Sequence, residues 1–231
     1  EHGLKGRFEF SVSDILMSEL IRGYTREAGV RQLRRELSAV ARGLVTDYVE
    51  AEGESEKRAH GKFKKRALTK KDLHRLLGPA TYLEQFKASR LALGVATGLA
   101  YTFVGGDVLH IESVRVENGK GHLTITGQLG DVMKESVQTA LALIKSKASL
   151  CGVELKKIQS SDLHVHFPAG AVKKDGPSAG IAVLSALVGL FSERALSADL
   201  AMTGEISLRG DVLAVGGVKE KLLAAHRYGI K

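Results

Sequence analysis

The spacing of apolar residues predicts two helices at the start of the chain. One begins near Ser13, and a longer one runs roughly from Arg26 to Glu50, where Val30, Leu33, Leu37, Val40, Leu44 and Val45 recur at helical intervals. Gly23 and Gly29 fall close to their junction. The polar, charged run over residues 51–66 predicts a loop. Thr69 is then the expected cap of a short helix, Lys70–Leu77, that stops at Gly78 and Pro79.

A less regular stretch separates this helical opening from strand-like runs. Residues 101–117 and 122–127 read as strands that turn at Gly105-Gly106 and at Asn118-Gly119. A helix over about 132–150 follows. Strict alternation puts Asp162, His164 and His166 on one face of the next strand and Leu163, Val165 and Phe167 on the other. From Pro177 an apolar helix runs to about Phe191, and residues 201–217 read as two strands joined at Arg209-Gly210. A last helix, Val218–Tyr228, lies between Gly216-Gly217 and Gly229. Strands and helices mixed without a regular βαβ repeat predict an α+β fold. The expected division is a small all-α subdomain over 1–79, a linker over 80–93 and a mixed α/β domain over 94–231.

Composition narrows the class. With 44% hydrophobic and 26% charged residues, 231 positions suffice for a real core. The single Cys151 excludes an intramolecular disulfide and offers no cysteine cluster for zinc, which fits a reducing, cytoplasmic setting. No apolar run approaches the ~20 residues that span a bilayer, and the first residues hold neither an initiator Met nor a signal-peptide core, so a soluble fragment is expected. The net charge of +8 is concentrated between Lys57 and Arg75, where nine Lys or Arg face the single acid Asp72. Such a stretch is either a solvated basic face or a contact for DNA or polyphosphate. No aromatic stacking platform accompanies it.

The string KKDGPSAG, residues 173–180, carries the candidate chemistry. Gly176 permits an unusual turn, Pro177 suits a first helical position, and Ser178 sits in the opening turn of the apolar helix. Backbone N–H groups at a helix start lack partners and can stabilise a developing oxyanion beside the hydroxyl. A serine needs a base, and a lysine kept neutral by desolvation can serve. At ~100° per residue, Lys221 shares a broad face with Val218, Leu222, Ala225 and Tyr228. Lys219 remains open as its competitor, as do the ordinary roles of a capping serine and a snorkelling lysine.

The strings DGPSAGIAVLSALVGL, MTGEISLRGDVLAVGGVKEKLLAAHRYGIK and GLAYTFVGGDVLHIES resemble the proteolytic domain of the Lon proteases. Ser178 and Lys221 have that family's serine-lysine separation, and the resemblance selects Lys221 over Lys219. It implies a peptidase domain over 94–231 whose fold resembles the second domain of ribosomal protein S5. It also implies that Thr203 orients the lysine, that Asp175 shapes the site, and that Glu205 is a weaker supporting candidate. YTREAGVRQLRREL resembles the small helical subdomain of the family's AAA+ module, with Arg31 in the place of the sensor arginine that reads nucleotide. Lys173, Ala214 and Tyr101 depart from common family residues without touching the dyad.

Further expectations follow from the resemblance. The peptidase chemistry needs no cofactor or metal, whereas the complete enzyme uses ATP and Mg. Its substrates are unfolded or damaged proteins and short-lived regulatory proteins, and it works as a homo-hexamer without a membrane. No G-x-x-x-x-G-K-[ST] loop occurs, so this chain is not expected to hydrolyse ATP by itself. It stops at Lys231, before the family's last strands and helices, and weak or absent activity is expected of the fragment alone.

Two rivals stay open. Residues 176–180 satisfy G-x-S-x-G, the elbow of α/β-hydrolases, with Asp199 or Asp211 and then His226 in that fold's chain order. The same glycine-rich turn could instead cradle a phosphate.

Overall fold

The computed structural model describes residues 8–53, 64–82, 88–168 and 174–230. The chain divides into two compact units, residues 1–85 and 86–231.

The first unit holds strand β1 (Phe8–Ser11), helices α1 (Asp14–Tyr24) and α2 (Arg31–Gly53), strand β2 (Lys64–Ala67) and helix α3 (Lys70–Leu77). Ser13 caps α1 by accepting from the Leu16 N–H. Thr69 and Asp72 form a reciprocal capping box at the start of α3, satisfying donors that a helix start leaves unpaired. The apolar faces of these helices close over Leu16, Leu20, Tyr24, Val40, Leu44 and Leu73. Two expectations are corrected here. Helix α2 starts at Arg31 rather than Arg26, because the Glu27 carboxylate accepts from the Gln32 and Leu33 N–H groups and so ends the preceding turn. The run expected to be a loop is helical to Gly53 and contains β2, which pairs in parallel with β1. Strand β1 alternates over only four residues, FEFS, and β2, KKRA, has no apolar alternation that would announce it.

The second unit is built on a four-stranded sheet in the order β3-β4-β6-β5, from β3 (Val95–Thr102), β4 (Gly105–Glu117), β5 (Leu123–Thr126) and β6 (Ser161–His166). Strands β3, β4 and β6 are antiparallel neighbours, while β5 runs parallel to β6. The β3–β4 turn falls at Phe103-Val104, two residues earlier than the glycine pair suggests, because Gly105 and Gly106 already belong to the ladder. Asn118-Gly119 does not join adjacent strands, since β6 inserts between β4 and β5.

Helices α4 (Asp131–Ser146) and α6 (Gly180–Phe191) cover one face of the sheet, with the short α5 (Leu155–Gln159) leading into β6. Helix α6 is apolar almost all round, as a helix enclosed in a core must be. Its Ala182, Val183, Ala186 and Leu187 are fully buried among Ile111, Val137, Val165 and Phe167. The alternation expected of β6 holds, with Leu163 and Val165 buried and Asp162, His164 and His166 half-exposed. Strands β7 (Glu205–Ile206) and β8 (Val212–Leu213) make a small hairpin, and α7 (Val218–Tyr228) packs on β3 and β4. Leu109 and Ile111 join the core, so His110 between them points to the opposite face, where it meets Tyr228 of α7. The second unit is thus an α+β domain.

Candidate active site

Ser178 stands in a single 3-10 turn, Pro177–Ala179, that runs directly into α6. Gly176 precedes it at φ +115°, a conformation that an L side chain adopts only under strain. Two bridging segments fix the turn. Lys174 pairs with Leu129 beyond the end of β5, and Met202 pairs with Gly98 on the free edge of β3. The second segment delivers Thr203 and Gly204 to the serine. The Ser178 carbonyl accepts from the Gly204 N–H at 2.9 Å and from the Thr203 hydroxyl at 3.3 Å. Ser136 of α4, a buried residue, donates to the Pro177 carbonyl at 3.5 Å.

Lys221 reaches the same threonine from α7. Its Nζ donates to Thr203 Oγ1 at 3.1 Å, and the residue is only 2% exposed. Lysines are almost never buried without a partner, and here the Thr203 hydroxyl accepts from one side while donating on the other. Burial pushes the Lys221 amine below the ordinary lysine range. Its hydrogen bond goes to Thr203, and none joins it to the Ser178 hydroxyl.

The helix face that buries Lys221 differs from the expected one. Ala224 and Ala225 are buried with it, whereas Val218 and Leu222 are exposed. Small residues let α7 approach the sheet, and at Gly106 the approach is closest. A Cβ there would stand 2.0 Å from the Glu220 carbonyl oxygen. Lys219 is exposed on the other side of α7.

Asp175 acts on the turn from outside. Its carboxylate accepts from the Met133 N–H at 3.2 Å and the Gly176 N–H at 2.9 Å, so it caps α4 across 42 residues of sequence and ties the loop before Ser178 to that helix. The cap of α4 in its own chain is Gly130, where any Cβ would collide with the Asp175 carboxylate. Glu205 pairs with Leu213 in the β7–β8 hairpin, and its carboxylate is not among the groups that link Ser178, Thr203 and Lys221. Arg31 lies in the first unit, exposed at the start of α2 beside an open groove of about 790 Å³ that Glu27, Arg34, Arg35 and Arg42 also line.

The Asp211–His226 rival does not assemble. Asp211 bonds to Ser207 and His226 is exposed, and neither reaches the serine. His164 and His166 both bond to the Thr126 hydroxyl, at 2.8 and 2.7 Å. Of the basic stretch, Lys57, Arg58 and Lys62 lie outside the described residues, as does Lys173 of the site string. Within the described part, Arg66 pairs with Asp72, Lys70 with Glu19 and Arg75 with Asp47. Among the described residues no cluster of three or more His, Cys, Asp or Glu is arranged to hold a metal, and no helix is long and apolar enough to cross a membrane.

Gly204, Ser136, Gly130 and Gly106 were not expected at the site. Each acts through a backbone group or a close approach to a distant segment, for which local sequence carries no signal.

A serine in a 3-10 turn at a helix start and a buried lysine joined by one threonine hydroxyl define a candidate serine-lysine hydrolase. The comparisons make the class specific. Residues 67–231 match the Lon protease (S16) C-terminal proteolytic domain, and residues 1–59 match the Lon protease AAA+ ATPase lid domain. Over its whole length the chain is 47% identical to a Lon protease of Anaeromyxobacter dehalogenans and 48% identical to Lon protease 2 of Thermus thermophilus, covering 26% and 27% of those proteins. It is 48% identical to a Lon protease of Syntrophus aciditrophicus over 92% of the chain and 25% of that protein. The chain belongs to the Lon protease family and spans about a quarter of the length of the relatives it matches.

Proposed function

We propose that this chain supplies the peptidase site of an ATP-dependent serine endopeptidase, with Ser178 as nucleophile and Lys221 as general base. The observation that carries the reading is the buried Lys221 amine, held by Thr203, which also bonds to the Ser178 carbonyl. A lysine in this setting loses its proton more readily than one in water. Reaction requires Ser178 Oγ and Lys221 Nζ to come within about 2.6–3.2 Å, a closure expected when substrate occupies the turn.

Lys221 then accepts the hydroxyl proton as Oγ attacks the peptide carbonyl. N–H groups of the turn that opens α6 stabilise the oxyanion. The tetrahedral intermediate collapses as Lys221 returns the proton to the leaving amine. Water, deprotonated by the same amine, releases the acyl group and restores the serine. Asp175 holds the nucleophile loop, and Glu205 remains a weaker supporting residue.

In the complete enzyme, Arg31 contacts the nucleotide, ATP and Mg drive unfolding, and a cytoplasmic homo-hexamer encloses the sites. The substrates are unfolded, damaged or short-lived regulatory proteins. For DNA or polyphosphate, the Lys57 to Arg75 stretch is the candidate contact, with Arg66, Lys70 and Arg75 facing acids and Lys71 exposed.

Ser178→Ala and Lys221→Ala are each expected to abolish degradation of an unfolded protein by the complete enzyme, while His164→Ala and His226→Ala retain it. Proteolysis by the Lys221→Ala enzyme would overturn the assignment.

A further inference from the structure

The far end of α7 is tied to the sheet by two contacts that the catalytic reading leaves unused. The Tyr228 hydroxyl lies 3.1 Å from His110 Nε2, with the two rings 5.6 Å apart, and Arg227 Nη2 donates to the Gly106 carbonyl at 2.8 Å. Tyr228 stands seven residues, about two helical turns, beyond Lys221 and therefore on the same face. Between them lie the buried Ala224 and Ala225. Neither alanine has a side chain long enough to fix the helix in rotation or along its axis. Nearer Lys221, Gly106 receives the Glu220 carbonyl at a distance that no Cβ would allow. Strand β4 thus meets α7 on both sides of the lysine.

We infer that Tyr228, through His110, and Arg227, through the Gly106 carbonyl, are positioning residues that set the register of α7 and hold Lys221 buried against Thr203. The inference rests on Lys221 being the base. Burial lowers the affinity of His110 for a proton, opposed by Glu112 and Asp107, and raises the pKa of Tyr228. The contact is therefore between neutral groups near pH 7. Besides Lys221, the titratable and charged side chains on the elements packed around it are Tyr101 of β3, Asp107, His110, Glu112, Arg115 and Glu117 of β4, Glu205 of β7, and Lys219, Glu220, His226, Arg227 and Tyr228 of α7 itself.

The test measures peptide hydrolysis by the complete enzyme across pH for wild type, Tyr228→Phe, His110→Ala and His110→Gln. Loosening the helix end admits water to Lys221 and moves its pKa back toward the ordinary value. Tyr228→Phe and His110→Ala are each expected to lower kcat about tenfold, with KM within about twofold and the acid limb displaced to higher pH. The double variant should be no worse than either single one. His110→Gln, which keeps a partner for the phenol, should restore both kcat and the limb. If Tyr228→Phe loses its cooperative unfolding transition, the comparison of His110→Ala with His110→Gln decides in the same way. A wild-type kcat and acid limb in both disrupting variants, with Lys221→Ala inactive, overturns the positioning role alone. An active Lys221→Ala enzyme overturns the underlying reading instead.

Discussion

The Thr203 hydroxyl is the hinge of the site, because it accepts from Lys221 and donates to Ser178. Thr203→Val keeps the shape and removes the hydroxyl, which leaves the lysine amine buried without its acceptor. An acceptor bonded to Nζ favours the ammonium form, so its loss lowers the Lys221 pKa further. The expected result is a kcat reduced at least about tenfold and an acid limb displaced to lower pH, while Thr203→Ser stays close to wild type. A pH–rate profile on a fluorogenic peptide reads both effects. Linkage has a definite sign here as well. The folded-state pKa lies below the unfolded one, so the cost of burying the ammonium is full below the folded value and is relieved as pH rises through it toward the ordinary lysine value. Of this site, helical periodicity made a partly dehydrated Lys221 legible but left Lys219 standing. The apolar Val218 and Leu222 drew the expected face away from the one that α7 buries, and the two alanines define the true one. Thr203 was legible only by resemblance, since its bonds cross 18 and 25 residues of sequence.

At the scale of elements, α4 and the turn that holds Ser178 are joined through one carboxylate. Asp175 caps α4 in place of the adjacent residue Gly130, which has no side chain and leaves room for it. Asp175→Ala is therefore expected to cost about 1 kcal/mol, as loss of a helix cap does, and to lower activity by freeing the loop. Asp175→Asn retains an acceptor oxygen and should lie between the two. Gly130→Ala places a methyl group where the carboxylate sits and should reproduce the alanine phenotype while Asp175 is still present. Urea unfolding and peptide hydrolysis of the three variants check this. If Gly130→Ala matched wild type in both, the cap would not matter to the turn. Elements with strong local signals were legible in sequence, α6 and α7 to within a few residues and the capped α3 with its own boundaries. The pair β1–β2 was not, because each strand is four residues long and β2 reads KKRA, a string whose strand character comes from its partner. The position of β5 was hidden for a related reason. A glycine turn after β4 predicts a hairpin, but β6 contributes the alternating apolar residues that outcompete it for the place beside β4.

At the scale of the molecule, the described residues form two hydrophobic cores with no shared member. One is centred on Leu20, Leu44 and Leu73, and the other on Ile111, Val183 and Leu187. The composition gave no hint of two, since a single 231-residue core has the same average, and the break became visible only where helical texture gives way to strands. Separate cores imply separable stability. Leu44→Ala and Leu187→Ala each remove a fully buried side chain, so each should cost about 2–5 kcal/mol, but from different units. Calorimetry of the chain is expected to show two transitions, with Leu44→Ala lowering only one and Leu187→Ala only the other. Because Ser178, Thr203 and Lys221 all lie in the second unit, Leu187→Ala should also shorten the lifetime of the proposed peptidase site on heating, whereas Leu44→Ala should leave it unchanged. A single transition moved equally by both substitutions would mean that the units unfold as one, and then a substitution near Arg31 could alter the peptidase site through stability alone.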